Sequence, residues 1–228
     1  MFYFDVYYLI LVVPALLISL WAQGYVKTTF AKFSKVPTRR NITGTETAAY
    51  LLKHNSITGI EINPINGSLT DNYNPVNKTL NLSQPVYNST SIAAVGVAAH
   101  ETGHAIQDNT GYLPLRLRAF LVPVANIGSA AGPWLAVIGI IFSFSILVNI
   151  GLWLFAGAVA FYVVTLPVEF NASARAVSNL RDSGLLNEEE LSGVKKVLTA
   201  AALTYVASAL TAIASFLRLF LISRNRRD

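Results

Sequence analysis

Long apolar stretches dominate this sequence and limit what the chain can fold into. They are roughly residues 6–26, 119–166 and 197–222. About 20 apolar residues cross a bilayer as a helix, and a helix satisfies its own backbone hydrogen bonds, as lipid requires. The middle stretch is long enough for two crossings, with a break expected near residues 148–151. We therefore predict a mainly α-helical, polytopic membrane protein with about four transmembrane helices.

Composition agrees with a membrane protein and restricts its partners. Charged residues make up 13% of the chain, whereas a soluble domain carries about 25%. The chain has no cysteine, which excludes disulfides and thiolate metal sites, so any metal would be held by His, Asp or Glu. No nucleic-acid-binding motif accompanies the net charge of +5. We therefore expect a lipid bilayer as partner, and no nucleic acid.

Residues 28–118 differ in character from the apolar stretches. They are polar, rich in Asn and Thr, and contain Asn-Pro and Asn-Gly turn pairs. We predict that they form a small extramembrane domain, mostly helical, with one short β-sheet or edge strand. The other expected segments are a first transmembrane helix (1–27), a hairpin of two transmembrane helices (119–166), a polar segment (167–196), and a last transmembrane helix with a basic tail (197–228).

A His-Glu-x-x-His motif lies near the end of the polar domain, as His100, Glu101 and His104, on a helix that Ser89 or Ser91 could cap. Residues four apart share one face of a helix, so both imidazoles can reach one Zn²⁺. Glu101 is turned by about 100° from His100 and can approach a water beside the metal. Zinc lowers the pKa of such a water, and the carboxylate takes its proton. The motif predicts a zincin-like domain with Glu101 as the catalytic base.

The alternative for this motif is a pair of surface histidines on an ordinary helix. Two of the chain's three histidines fall in the motif, which chance rarely produces. The residues around it are small, as close packing at a site requires: Ala98, Ala99, Gly103 and Ala105. We therefore favour the metal site.

Catalytic zinc needs a third protein ligand and an open position. A third histidine at the spacing H-E-x-x-H-x-x-G-x-x-H is absent, so a downstream carboxylate is expected. The glutamates at 188–190 resemble the solvent-exposed first turn of a helix. Asp108 fits a position that supports the metal site from outside the ligand set, or one on the surface. Glu169 directly follows an apolar stretch, where a carboxylate is costly unless it is paired or coordinating. We predict one Zn²⁺ per chain, held by His100, His104 and Glu169.

Several segments together resemble a known family. Residues 100–107 read HETGHAIQ, residues 167–173 read PVEFNAS, and residues 71–75 and 80–83 read DNYNP and LNLS. In these segments the chain resembles the YugP-like neutral zinc metallopeptidases of bacterial membranes, over nearly its whole length. The resemblance implies a gluzincin-type site, related to the HtpX-type and CAAX-processing membrane proteases. It implies the same three ligands and the same base.

One position departs from the related HtpX-type enzymes. Those enzymes have an aspartate four residues beyond the ligand glutamate, and here that position is Ser173. The supporting role of that aspartate would therefore be weaker, or filled by Asn171 or Arg175.

Two further roles are expected in a peptidase of this class. Substrate commonly adds as a strand to the edge of a sheet. A hydrogen-bond donor must also stabilise the oxyanion of the tetrahedral intermediate. Arg175 is the first candidate for this donor, and pairing of Arg175 with an acidic residue or a lipid phosphate is the alternative. Tyr73 is the second candidate. The candidate edge strand, for which an ordinary structural strand is the alternative, consists of Thr79, Leu80, Asn81, Leu82 and Ser83.

The combined features predict a membrane-embedded zinc-dependent endopeptidase that acts on peptides or membrane proteins. The alternative is a catalytically inactive zinc-binding scaffold that regulates a membrane complex, and an oligomer or a regulatory membrane partner would fit either function. A metal transporter is disfavoured because transport sites lie near the bilayer midplane on interrupted spans, whereas this motif lies in the polar domain.

The distribution of basic residues predicts an orientation in the bacterial cell membrane. With four spans, residues 28–118 and 167–196 share one side, and together with Lys27 they hold all but the last four of the 17 Lys and Arg. The excess of Lys and Arg marks the cytosolic side, so we expect the catalytic side to be cytosolic. The basic C-terminus opposes this assignment, and a three-span arrangement with one re-entrant run is the alternative.

Overall fold

Helices account for most of the computed structural model, which describes residues 5–225. Residues 1–4 of the predicted first span and residues 226–228 of the predicted basic tail lie outside the described residues. A π-helical turn, Tyr8–Val12, leads directly into the first α-helix. The elements that follow are α1 (Val13–Phe33), α2 (Gly44–His54), β1 (Glu61–Ile65), β2 (Asn72–Asn74), β3 (Thr79–Ser83), α3 (Gln84–Tyr87), α4 (Ile92–Asn109), α5 (Leu113–Ile141), α6 (Ser145–Asp182) and α7 (Glu188–Arg224).

Four of the described helical segments are long and apolar enough to cross a bilayer: Tyr8–Phe33, Leu113–Ile141, Ser145–Asp182 and Glu188–Arg224. Their most apolar windows have a mean hydropathy between 1.6 and 2.1. The predicted fold class, a mainly α-helical polytopic protein with four spanning helices and a small sheet, is confirmed.

The turn between α5 and α6 lies at residues 142–144, where Ser143 adopts a φ of 59°. The break that we predicted near residues 148–151 is wrong, because those residues belong to the first turns of α6. Gly151, the last residue of the predicted break, instead lies against the backbone of Ala136 in α5. The glycine therefore permits close packing of two helices and does not form a turn.

The helix α6 continues well beyond the apolar stretch that begins it. It passes through Pro167 and ends at Asp182, although an internal proline removes one backbone hydrogen bond. Residues 167–182 therefore belong to the same helix as the apolar stretch, and a short loop connects them to α7.

The chain divides into two compact units. As far as they are described, the first comprises Met1–Gln23, Arg116–Pro167 and Leu203–Asp228, and the second comprises Gly24–Leu115 and Val168–Ala202. In the first unit, a Cβ added to Gly128 would collide with the carbonyl oxygen of Leu154. This glycine lets α5 and α6 approach closely, as small residues do in membrane helices.

The helix α4 runs through the core of the second unit. Its N-terminus is capped by Ser91, whose Oγ accepts from the N–H of Ala94 at 3.2 Å. Val95 packs in an apolar cluster with residues from α2, α6 and α7, among them Leu51, Leu180 and Leu191. This packing holds the helix that carries the motif against the polar C-terminal part of α6 within one core.

One strand of the small β-sheet occupies a different position in the sheet from the one that we predicted. Its order is β1-β3-β2, with β3 parallel to β1 and antiparallel to β2. The segment Thr79–Ser83 is therefore the central strand, and the prediction that Thr79, Leu80, Asn81, Leu82 and Ser83 form an edge is wrong. The reason is that β1 and β2, which sequence reasoning did not identify, occupy both sides of it.

Candidate metal centre

The motif residues lie on one buried stretch of α4. Glu101 and His104 are 8% and 7% exposed, and His100 is half-buried. The neighbouring Gly103 faces α6 so closely that an added Cβ would lie 2.5 Å from the carbonyl oxygen of Ala172. The absence of a side chain at Gly103 therefore lets the motif helix approach the helix that carries Glu169.

Three potential ligands converge between α4 and α6. His100 Nε2 lies 3.2 Å from Glu169 Oε2, and His104 Nε2 lies 3.6 Å from the same oxygen. One ligand atom from each of the three residues lies within 4.8 Å of the others. Within residues 5–225, this is the one group of three or more His, Asp or Glu side chains close enough to share a metal ion.

The donor set fits zinc. Two imidazoles and one carboxylate form one of the common three-ligand sets of catalytic zinc, which leaves a fourth position open. Glu169 is 2% exposed, and a carboxylate so deeply buried is costly unless it is paired or coordinating. A cation held between Glu169 and the two imidazoles would satisfy all three groups.

The carboxylate of Glu101 is not a member of this ligand group. Burial raises its pKa above the ordinary value, the charges of His100 and His104 oppose the rise, and the charges of Glu169 and Asp71 add to it. No hydrogen bond from another described side chain engages Glu101. The carboxylate is therefore free to accept a proton.

The pKa of His104 is also shifted. Burial lowers it, but the hydrogen bond with Glu169 and the negative charges of Glu101 and Glu169 outweigh burial and raise it above the usual histidine value. A metal ligand must be a neutral imidazole, so a bound metal would compete with a proton at this residue.

The second ring nitrogen of each imidazole has an uncharged partner. His100 Nδ1 lies 3.1 Å from Ser173 Oγ, and His104 Nδ1 lies 3.0 Å from Gln107 Oε1. Sequence reasoning expected only a weaker supporting role at Ser173, or its replacement by Asn171 or Arg175, and it missed Gln107. The available signal was the spacing, since a residue three positions after His104 lies on the same helix face.

Asn171 and Arg175 lie in the same network. Gln107 Nε2 donates to Asn171 Oδ1 at 3.0 Å, and Arg175 Nε donates to the same oxygen at 2.8 Å. The Arg175 guanidinium also lies over the Tyr112 ring, 5.9 Å from its centroid. Among the described residues, neither Asp71 nor Asp182 forms an ion pair with Arg175.

The hydroxyl of Tyr73 is hydrogen-bonded to a residue outside the group of three potential ligands. Its hydroxyl donates to Asp108 Oδ2 at 2.7 Å, and Lys78 Nζ binds the same oxygen. Burial, together with this hydrogen bond, raises the pKa of Tyr73. These contacts connect β2 and the turn before β3 to the C-terminal end of α4. Because the Tyr73 hydroxyl donates its proton to Asp108, it does not donate that proton to another group.

Comparison with known proteins gives two matches over nearly the whole chain. The family model described as "Putative neutral zinc metallopeptidase" matches residues 8–224. A relative from Bacillus subtilis (strain 168), "Putative membrane protease YugP", is 43% identical over 221 residues, which cover 97% of this chain and 98% of the relative. No solved structure gives a significant match.

Proposed function

Because this chain belongs to the neutral zinc metallopeptidase family, we propose that it is a membrane endopeptidase in which His100, His104 and Glu169 hold one Zn²⁺ and Glu101 is the general base. The observation that carries the proposal is the convergence of the three ligand atoms within 4.8 Å of one another. They come from two helices that are distant in sequence. A purely structural contact between two helices does not require three potential metal ligands to converge, so the arrangement favours a metal site.

The chemistry divides between the metal and the chain. Zn²⁺, when bound, supplies a Lewis acid that acidifies water and polarises the peptide carbonyl. Glu101 removes a proton from the attacking water and delivers it to the leaving amine. Its freedom from hydrogen bonds leaves both carboxylate oxygens available for this transfer.

Arg175 is the proposed donor to the oxyanion of the tetrahedral intermediate. Its Nε donates to Asn171, and among the described residues no hydrogen bond engages its other two nitrogens. An anchored guanidinium with free N–H groups is already oriented before charge develops on the substrate, which makes such donors effective.

The proposed substrates are peptides or membrane proteins, and the proposed catalytic side is cytosolic. The relative is named a membrane protease, and four described helices are apolar enough to span a bilayer. The excess of Lys and Arg in the segments that follow the first and third spans supports the cytosolic side.

The central test separates the base from the ligands. Purified Glu101→Gln should bind one Zn²⁺ per chain like the wild type, but its peptide cleavage should fall by about 10²–10⁴-fold, the usual contribution of a general base. Glu169→Ala should lose Zn²⁺ affinity as well as activity. Glu189→Gln, at an exposed glutamate on α7, is the matched control and should change neither.

Two results would overturn the proposal. Unchanged Zn²⁺ affinity in Glu169→Ala would remove the third ligand. Full cleavage by Glu101→Gln would remove the base, whereas Zn²⁺ binding by a wild type that cleaves no peptide would favour the inactive scaffold.

A further inference from the structure

We infer that Gln107 is a positioning residue that holds His104 in the one tautomer able to bind the metal through Nε2; this inference rests on the proposed function. Gln107 is fully buried, with 0% of its surface exposed. Its side-chain amide makes three hydrogen bonds, to His104, Val168 and Asn171.

The direction of these hydrogen bonds is set by Arg175. A guanidinium can only donate, so the atom of Asn171 that lies 2.8 Å from Arg175 Nε is the acceptor Oδ1. Gln107 must therefore present its NH₂ group to Asn171. The backbone carbonyl of Val168, 2.8 Å from Gln107 Nε2, requires the same orientation because it too can only accept.

This orientation determines the proton position on His104. With both amide hydrogens of Gln107 directed at acceptors, its Oε1 faces His104 Nδ1 at 3.0 Å. Only an N–H at Nδ1 can bond to that oxygen, so a neutral His104 carries its proton on Nδ1. The lone pair of Nε2 is then free on the side of Glu169, where the metal would lie.

The same amide connects the two ligand-bearing helices. Gln107 lies on α4 with His104, and Val168 directly precedes Glu169 on α6. One side chain therefore fixes the ring of one ligand and the backbone beside another. Partners in the outer shell of a metal site commonly change metal affinity by about 10–100-fold when they are replaced.

The partner of the other imidazole is less constrained. Ser173 is half-buried, and among the described residues its hydroxyl makes a single hydrogen bond, with His100 Nδ1. A hydroxyl can rotate and both donate and accept, so it does not dictate the tautomer of His100. We therefore expect Gln107 to matter more for metal affinity than Ser173.

The test measures metal binding by the purified full-length protein in detergent. The Kd for Zn²⁺ is determined by competition with a chelator, and the absorption spectrum of bound Co²⁺ reports ligand geometry. Gln107→Leu removes all three hydrogen bonds, whereas Gln107→Glu keeps an oxygen acceptor for His104 Nδ1. Gln84→Leu, at an exposed glutamine of α3, is the matched control.

We expect Gln107→Leu to weaken Zn²⁺ binding by about 10–100-fold and to alter the Co²⁺ spectrum. Gln107→Glu should bind Zn²⁺ more tightly than Gln107→Leu, Ser173→Ala should lose less affinity than Gln107→Leu, and Gln84→Leu should match the wild type. Wild-type affinity in Gln107→Leu, or equal losses in the Leu and Glu variants, would overturn the inference. A purely structural role would lower thermal stability and leave both metal readouts unchanged.

A further variant applies if Gln107→Leu does not fold. Asn171→Leu leaves Gln107 in place but removes one of the two acceptors that orient its amide. It should also weaken Zn²⁺ binding, and an unchanged Kd would overturn the inference. Failure of the proposed function itself is recognised separately in the wild type, which would then bind no Zn²⁺ or would bind Zn²⁺ without cleaving peptide.

Discussion

Gly103 and Ala172 are in backbone contact: a Cβ added to Gly103 would lie 2.5 Å from the carbonyl oxygen of Ala172. Gly103 directly precedes His104, and Ala172 lies three residues after Glu169. The separation between two proposed metal ligands on different helices, His104 and Glu169, is therefore controlled by a position that has no side chain.

Replacing this glycine should widen the site. Gly103→Ala forces α4 and α6 apart, and overpacking of this kind costs about 1–3 kcal/mol of stability. Because the shift moves His104 away from Glu169, Zn²⁺ affinity should also fall. Thermal unfolding and chelator competition measure the two effects.

Gly24→Ala is the control for that variant. Nothing lies within 4 Å of a Cβ at Gly24, and alanine is the better helix former by about 0.5–1 kcal/mol. Its stability should be unchanged or higher, and its metal binding unaltered. A Gly103→Ala protein with wild-type Zn²⁺ affinity would contradict the importance of the close contact.

Tyr73→Phe distinguishes the two candidate oxyanion donors. The Tyr73 hydroxyl already donates to Asp108, so its loss should lower the free energy of unfolding by about 1 kcal/mol. The value of kcat should not show the ~10²-fold or larger decrease that follows loss of an oxyanion donor. Tyr50→Phe, at an exposed tyrosine on α2, is the control; a large fall in kcat for Tyr73→Phe alone would restore Tyr73 as the donor.

The helix α2 should contribute a pH-dependent part of the stability. Its capping box places Glu46 Oε2 2.8 Å from the Thr43 N–H and 2.9 Å from the Thr43 hydroxyl, and these bonds lower the pKa of Glu46. A lowered pKa in the folded state stabilises the protein fully above the unfolded-state value, about 4.3. This stabilisation is lost as the pH falls through the lower folded-state value.

Thermal unfolding between pH 7 and pH 3 tests this contribution. The wild type should be more stable than Glu46→Gln near neutral pH, and the difference should shrink as the solution is acidified. A constant gap between the wild type and Glu46→Gln at all pH values would refute the assignment.

Because the chain has no cysteine, the orientation of the protein in the membrane can be measured by labelling single introduced cysteines. Asn88→Cys, in the domain that carries the motif, and Ser143→Cys, in the turn between α5 and α6, each introduce a single exposed thiol. If the catalytic side is cytosolic, a membrane-impermeant maleimide applied to intact cells should label Ser143→Cys and leave Asn88→Cys unlabelled until the cells are opened. The reverse pattern would place the catalytic side outside.

Some features could be predicted because they depend on residues that are close in sequence. A spanning helix is recognisable from its own run of apolar residues. The pairing of His100 with His104 follows from the helical repeat alone, as does the capping of α4 by a serine near residue 90. No knowledge of the rest of the fold is needed for these features.

Other features escaped prediction because they depend on what a segment packs against. The strand Thr79–Ser83 has the alternating pattern of any half-buried strand, and its central position comes from two neighbours that pair with it. The break predicted near residues 148–151 was wrong because the sequence does not distinguish a glycine in a turn from a glycine at a helix–helix contact, which is the role of Gly151. The role of Gln107 depends on Val168 and Asn171, which lie some 60 residues away along the chain.

The sequence by itself determined the number of spanning helices, the helix that carries His100, Glu101 and His104, and the chemical type of any metal ligand in a chain without cysteine. Only the tertiary structure decided that Glu169 meets both imidazoles and that Gln107 orients one of them. The reason is physical: helix periodicity and hydrophobicity act within a few residues, whereas the distance between α4 and α6 is set by side-chain packing, above all at Gly103.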